Sequence, residues 1–263
     1  MRPLRPPSVS VDERLVLLSW PRSGSSSLWR ILQAHPELRL MPDEPFNEHF
    51  AEWSADNPDY LSRVHDQASL DCVLDELFAT YRGIKVLSYQ LDPDELSHLV
   101  LRTELRVVFI SRRNLLRTAV SDRIAKQTNV YNRWDIDAGR SITGCYESLA
   151  PLDVEDLRRY VRDLASHLRW VTSVLDRRPD GSVLRLDYDD LFLADREAQH
   201  DQLVALWTFL GVTPLNSSAI RDYLDPSAAR LAGPDTYGRL PNAGEIDAAL
   251  GADDTGRLLP FDP

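Results

Sequence analysis

Four short apolar runs, each followed by a segment of helical period, constrain this chain more than anything else in it. "RLVLLSW" (14–20), "GIKVLSY" (83–89), "LRVVFIS" (105–111) and "GSVLRLDY" (181–188) read as strands. Helices are predicted over 25–34, over 92–102 from an Asp92 cap with Pro93 in the first turn, and over 114–126. Two more follow at 154–175 and 196–211, the second stopped by Gly211. Strands that alternate with helices imply right-handed crossovers and a mostly parallel central sheet flanked by helices, a single-domain α/β fold. Such sheets bind ligands at the carboxyl ends of their strands, and that is where the polar motifs of this chain fall.

A length of 263 residues suits one such domain, expected over 14–263 behind a loose arm at 1–13. The arm carries arginines but no apolar stretch, so it is not a signal peptide. No run of 18 apolar residues exists, so no membrane span is expected. A net charge of −11 disfavours general nucleic-acid binding. Cys72 and Cys145 form neither a zinc pattern nor a disulfide framework and suit free thiols in a cytoplasmic protein. Residues 36–80 and 127–152 look irregular, with Phe46, Phe50, Trp53, Tyr60, Tyr131 and Trp134 as lids, substrate walls or ordinary loop packing.

The turn after the first strand, "WPRSGSSSL", opens a helix with one arginine, one glycine and four serines. Free amides at a helix start favour an anion, Gly24 lets the backbone come close, and Arg22 adds a planar cationic fork. Ser23, Ser25, Ser26 and Ser27 can add hydroxyl donors. The Gly-Lys pair of a nucleoside-triphosphatase loop is missing, and so is the dinucleotide pattern G-x-G-x-x-G. A second basic cluster, "SRRNLLRTAVSDR" (111–123), follows the third strand. Arg113 in a strand-end loop could reach along the helix to Ser121 and hold a second phosphate with it; a solvated basic helix face is the alternative.

"PRSGSSSL" and "RRNLLRTAVS" together resemble the two signatures of the sulfotransferases that use 3′-phosphoadenosine 5′-phosphosulfate. The first signature there holds the 5′-phosphosulfate; the second, an arginine and a serine eight positions apart, holds the 3′-phosphate. The resemblance extends over about residues 14–250 and includes "LDYDDL" and "FLG" in the later part. It implies a P-loop nucleotide-binding-like fold. The cofactor would be bound by Arg22, Ser23, Gly24, Ser25, Ser26, Ser27, Arg113 and Ser121, with Tyr188 near the adenine. Arg239, the one basic residue in "TYGRLPNAGEIDAAL", would complete the 3′-phosphate site, although the usual basic pattern is missing there.

The reaction so implied moves a sulfuryl group to an acceptor hydroxyl by in-line displacement, and needs a base and cations but no metal. The segment "LRLMPDEPFNEHF" (38–50) offers Asp43, Glu44, Glu48 and His49 as base. Glu44 fits best, because the carbohydrate, tyrosylprotein and bacterial trehalose branches carry a glutamate soon after this helix. Lys85, inside an apolar strand, is costly to bury unless it has a function and is expected to contact the sulfonate beside Arg22. Lys126 reads as a helix C-terminal charge, or as a lining of the acceptor pocket with Arg123. The acceptor is expected to be a small molecule, carbohydrate or lipid. A small-molecule kinase and a non-catalytic nucleotide-binding module are the rival readings.

Overall fold

The structure, a computed structural model, describes residues 14–53, 57–131, 148–215, 218–224 and 234–259. Four strands form one sheet: β1 (Arg14–Ser19), β2 (Gly83–Leu87), β3 (Leu105–Ser111) and β4 (Val183–Asp187). Every neighbouring pair is parallel, in the order β2-β1-β3-β4. The two halves of the sheet thus diverge from β1, whose carboxyl end lies between Leu87 of β2 and Ile110 of β3. The expected α/β architecture is the observed one.

Strand alternation sorts the core into two layers. Val16, Leu18, Ile84, Val86, Val107 and Phe109 face one layer of helices. That layer holds α2 (Gln67–Thr80), α3 (Pro93–Leu101) and the end of α5 (Val154–Leu175). Leu15, Leu17, Val108, Ile110 and Leu186 face the other, with α1 (Ser25–Gln33) and α7 (Arg196–Leu210). A third cluster joins α4 (Leu115–Thr128), α5 and the C-terminal helices α9 (Pro234–Gly238) and α10 (Ala243–Leu250). The last described residues are tied to α4, where the Leu116 amide donates to the Thr255 carbonyl at 3.0 Å and Asn114 Nδ2 to Arg257 at 2.8 Å. Short helices lie at Tyr188–Phe192 (α6) and Ser218–Leu224 (α8), and single helical turns at Phe50–Trp53 and Leu61–Arg63.

The region expected to be irregular is not so throughout. Residues 67–80 form a helix whose buried positions 70, 73, 74, 77 and 78 have a helical period, started by Asp66 accepting from the Ser69 amide at 2.8 Å. Phe46, Phe50 and Tyr60 belong to the core rather than to a lid, and Tyr60 stacks on Phe50. Cys72 is an exposed free thiol; Cys145, Trp134 and the arm at 1–13 lie outside the described residues. Among the described residues no helix is long and apolar enough to cross a membrane.

Arg178 locks the opposite end of the sheet. It is buried, and its guanidinium donates to the carbonyls of Val100, Leu105 and, at 3.0 Å, Arg102. These are the last carbonyls of α3 and the first of β3, which no helical partner can satisfy. Arg178→Met strands them and is expected to cost about 2–4 kcal/mol in urea unfolding; a loss under about 0.5 kcal/mol would contradict this role.

Candidate functional site

The turn between β1 and α1 is built for close approach. Arg22 (φ 65°) and Gly24 (φ 83°) are both in the left-handed region. Only a glycine fits at 24: a Cβ there would stand 2.6 Å from Tyr188 Cδ2 and 2.8 Å from Phe192 Cε2. Gly24 is the N-cap of α1 and offers no side chain to the amides of the first turn. The four serines differ in role. Ser23 is buried and donates back to the Trp20 carbonyl at 2.6 Å, which fixes the turn. Ser25 is buried, Ser27 is half-buried, and Ser26 accepts a hydrogen bond from Lys85 Nζ at 3.0 Å.

Lys85 reaches Ser26 because of strand alternation. Ile84 and Val86 point into the α2–α3 layer, so Lys85, paired in register with Leu17, points toward α1. There its ammonium meets Glu44 Oε1 at 2.7 Å, and both side chains are nearly out of solvent (6% and 13% exposed). Glu44 is held from several directions. Gln90 Nε2 donates to Oε2 at 2.7 Å, and Asn47 Nδ2 to the same oxygen at 3.2 Å. Gln90 is itself fixed, its Oε1 accepting the Leu87 amide at 2.8 Å. The segment bearing Glu44 is pinned to β2, where the Met41 amide donates to the Gly83 carbonyl at 3.0 Å. Trp29 and Gln33 of α1 both donate to the Met41 carbonyl. Asp43 is exposed, and His49 is exposed and paired with Glu48 and Glu52. Of the four candidates in this segment, with Glu48 also exposed, only Glu44 faces the serine turn and Lys85.

An aromatic wall stands beside this cluster. Trp20 packs edge-on against Tyr89 and Tyr160, with ring centroids 5.8 and 6.3 Å away, and donates its Nε1 to the Tyr160 hydroxyl at 3.0 Å. His167 lies 4.8 Å from the Trp20 ring and bonds Ser88 Oγ at 2.8 Å. Burial pushes the Tyr89 phenol up to about 12, with the Glu44 and Glu48 carboxylates adding to it, which places Tyr89 in the field of Glu44. Burial, then the Asp122 carboxylate, pushes Tyr160 up to about 12 as well, and burial pulls His167 down. The wall is therefore neutral at physiological pH. Among the described residues, Tyr89 is one of three large apolar side chains left exposed, at 52%.

The second motif splits in two. Ser121, on the buried face of α4, accepts from Arg22 Nε at 3.1 Å, so the structure joins it to the first motif. The Arg22 guanidinium also donates to the Tyr131 carbonyl. Arg113 turns the other way: it is 65% exposed and pairs with Asp187 (3.2 Å) and Asp190. Its backbone amide also donates to Asp187, so this arginine ties the end of β3 to the end of β4. Burial raises the pKa of Asp187 despite Arg113. Tyr188 lies against Gly24 and under the guanidinium of Arg112, 4.5 Å from its ring centroid. Arg239 is exposed and makes no side-chain hydrogen bond among the described residues. Lys126 pairs with Asp122 at 3.0 Å, and Arg123 with Asp122 and Asp156 at 2.9 and 2.6 Å. Gln90, Trp20, Tyr89 and Arg112 are neighbours of the site that the motif spacing did not single out. The polar residue in the turn after β2 was the available signal for Gln90.

Neither a protein-family model nor a curated protein matches the chain. Among solved structures, a sulfotransferase from Alicyclobacillus acidocaldarius aligns over 92% of this chain and 96% of its own, at 16% identity and a TM-score of 0.47. Mouse sulfotransferase SULT7A1, complexed with PAP, aligns over 93% and 73%, at 17% identity and a TM-score of 0.44. The sulfotransferase domain of the Synechococcus PCC 7002 olefin synthase aligns over 94% and 86%, at 18% identity and a TM-score of 0.39.

The Glu44–Lys85 pair makes a direct energetic claim. Lys85→Met leaves a buried carboxylate without its cation and is expected to cost about 3–5 kcal/mol. The double variant Glu44→Gln/Lys85→Met removes both charges and is expected to recover most of that loss in denaturant unfolding. A double-variant loss equal to the sum of the Lys85→Met and Glu44→Gln losses would show that the two side chains are not coupled.

Proposed function

We propose that this protein is a sulfotransferase that takes its sulfuryl group from 3′-phosphoadenosine 5′-phosphosulfate. The observation that carries the reading is the buried Glu44–Lys85–Ser26 cluster at the mouth of the serine turn. An anion-binding turn beside a shielded lysine and a carboxylate held by two amides has the groups this chemistry requires. The amides of the first turn of α1, uncapped by any side chain and preceded by the left-handed Arg22 and Gly24, form a cradle that fits a phosphate.

When bound, the nucleotide supplies a sulfuryl group attached to a phosphate leaving group. The protein's contribution is to position it and to stabilise charge. The loop amides with Ser25, Ser26 and Ser27 hold the 5′-phosphate, and Ser23 keeps the turn in shape. Arg22 and Lys85 face the sulfonate oxygens, Lys85 exchanging its Ser26 contact for them. Glu44 Oε1 or Oε2 takes the proton of the acceptor hydroxyl while Gln90 and Asn47 keep the carboxylate in place. Arg113 and Ser121 mark the end of the site that receives the 3′-phosphate, with Tyr188 beside the adenine. The neutral aromatic wall of Trp20, Tyr89 and Tyr160 forms the acceptor side. It suits an uncharged hydroxyl compound with a flat or apolar face, among small molecules, carbohydrates and lipids.

The test is an assay for adenosine 3′,5′-bisphosphate release from the sulfated nucleotide with a panel of neutral hydroxyl acceptors. Wild type is expected to turn over, and Glu44→Gln to lose roughly 100-fold or more in kcat while calorimetry shows bisphosphate binding unchanged. A wild type that instead transfers phosphate from ATP with Mg²⁺ would establish the kinase reading. A wild type that binds the nucleotide but transfers nothing to any acceptor would point to the non-catalytic module.

A further inference from the structure

Tyr89 is a large ring left in solvent beside a shielded carboxylate. It is half-exposed although Trp20 backs it edge-on at 5.8 Å. The turn that carries it is held fast. The Ser88 amide donates to the Ser19 carbonyl at 2.7 Å, the Leu87 amide donates to Gln90 Oε1 at 2.8 Å, and Ser88 Oγ is bonded to His167. The exposure therefore belongs to a fixed turn rather than to a loose loop. Gln90 of the same turn grips Glu44, so one turn sets both the ring and the carboxylate. A rigid aromatic face held open next to a reactive group is a seat for another ring.

The charges around that seat narrow what it takes. Besides burial, the groups that hold the Tyr89 phenol neutral are Glu44 and Glu48 from the segment after α1, Asp122 from α4, and Tyr131. The cations of this edge are engaged elsewhere: Lys85 with Glu44 and Ser26, Arg22 with Ser121 and the Tyr131 carbonyl, and Lys126 and Arg123 with Asp122. Glu48 is 78% exposed, and its ion-pair partner among the described residues is His49, at 3.6 Å. An anionic compound approaching Tyr89 meets carboxylates, whereas a neutral ring meets an aromatic face. In sulfuryl transfer the acceptor oxygen forms the new O–S bond, the S–O bond to the leaving phosphate breaks, and the acceptor proton passes to Glu44. The product thus carries one more negative charge than the acceptor did.

We infer that Tyr89 selects the acceptor: it seats the ring of a neutral hydroxyl compound, and Glu48 and Asp122 beside it turn anionic compounds away, so that an acceptor once sulfated does not re-enter. This rests on the sulfotransferase reading above and narrows its acceptor to neutral, ring-bearing compounds that are sulfated a single time.

Matched acceptors assayed with the sulfated nucleotide test it. The neutral rings are 2-naphthol and methyl β-glucopyranoside, their anionic counterparts 6-hydroxy-2-naphthoate and methyl β-glucuronide, and the acyclic alcohol 1-hexanol. Wild type is expected to favour a neutral ring over its anionic counterpart by about 10-fold or more in kcat/KM, and over 1-hexanol; the naphthol and the glucoside tell an aryl acceptor from a sugar. Tyr89→Ala is expected to raise KM for the neutral ring about 3- to 10-fold and Tyr89→Phe to restore it, with calorimetric binding of adenosine 3′,5′-bisphosphate the same in all three proteins. Glu48→Gln, or about 0.5 M salt, is expected to narrow the neutral-to-anionic ratio by about 3-fold. Mass spectrometry is expected to show one sulfate on the glucoside or on 2,6-dihydroxynaphthalene. If the anionic counterparts or 1-hexanol react as well as the neutral rings, if a bis-sulfate accumulates, or if Tyr89→Ala leaves KM unchanged, the inference falls and the transferase reading stands. If wild type binds the bisphosphate and transfers to no acceptor, the transferase reading fails and the inference with it.

Discussion

The site depends on one buried contact, the 2.7 Å ion pair between Lys85 and Glu44. A lysine in the middle of a buried strand needs a compensating charge, because burying it alone costs several kcal/mol. The chain brings that charge from the segment after α1. Backbone pairing of Met41 with Gly83, and the grip of Trp29 and Gln33 on the Met41 carbonyl, set this segment against β2 and place Glu44 over Lys85. The same segment covers the outer edge of β2, so every residue of that edge strand is buried. Fold and site are therefore one construction: the contacts that close the sheet edge also deliver the carboxylate.

Around that pair, the charges are distributed by strand. Lys85 lies on β2, Arg22 on the turn after β1 and Arg112 next to the end of β3, so three cations stand along one edge of the sheet. Two other arginines near this edge are paired with acids, Arg113 with Asp187 and Asp190, and Arg123 with Asp122 and Asp156. A chain with net charge −11 thus still gathers cations at this edge, with Lys85 held by Glu44 and Arg22 by Ser121 and the Tyr131 carbonyl.

Much of this was legible beforehand. The four strands and the 154–175 helix follow from apolar runs and helical period alone. The serine turn and Lys85 were marked by residue types out of place in their surroundings, and Glu44 by the family resemblance. The helix at 67–80 was hidden by the Pro- and Asp-rich stretch before it, although its 70, 73, 74, 77 and 78 pattern is helical. Which of Asp43, Glu44 and His49 turns inward could not be read locally, because the contacts that decide it come from Lys85 and Gln90, some 40 residues away in sequence. Spacing also could not show that Arg113 pairs with the acids of β4 and α6 while its neighbour Arg112 is buried under Tyr188.

We propose that the serine turn and the Lys85–Glu44 cluster form a site for a 3′-phosphorylated adenine nucleotide. The decisive measurement is thermal unfolding of the wild-type protein with adenosine 3′,5′-bisphosphate, with ATP and Mg²⁺, and with NAD. A concentration-dependent rise in melting temperature is expected with the bisphosphate and none of comparable size with the other two. A rise with ATP or NAD but not with the bisphosphate would contradict it.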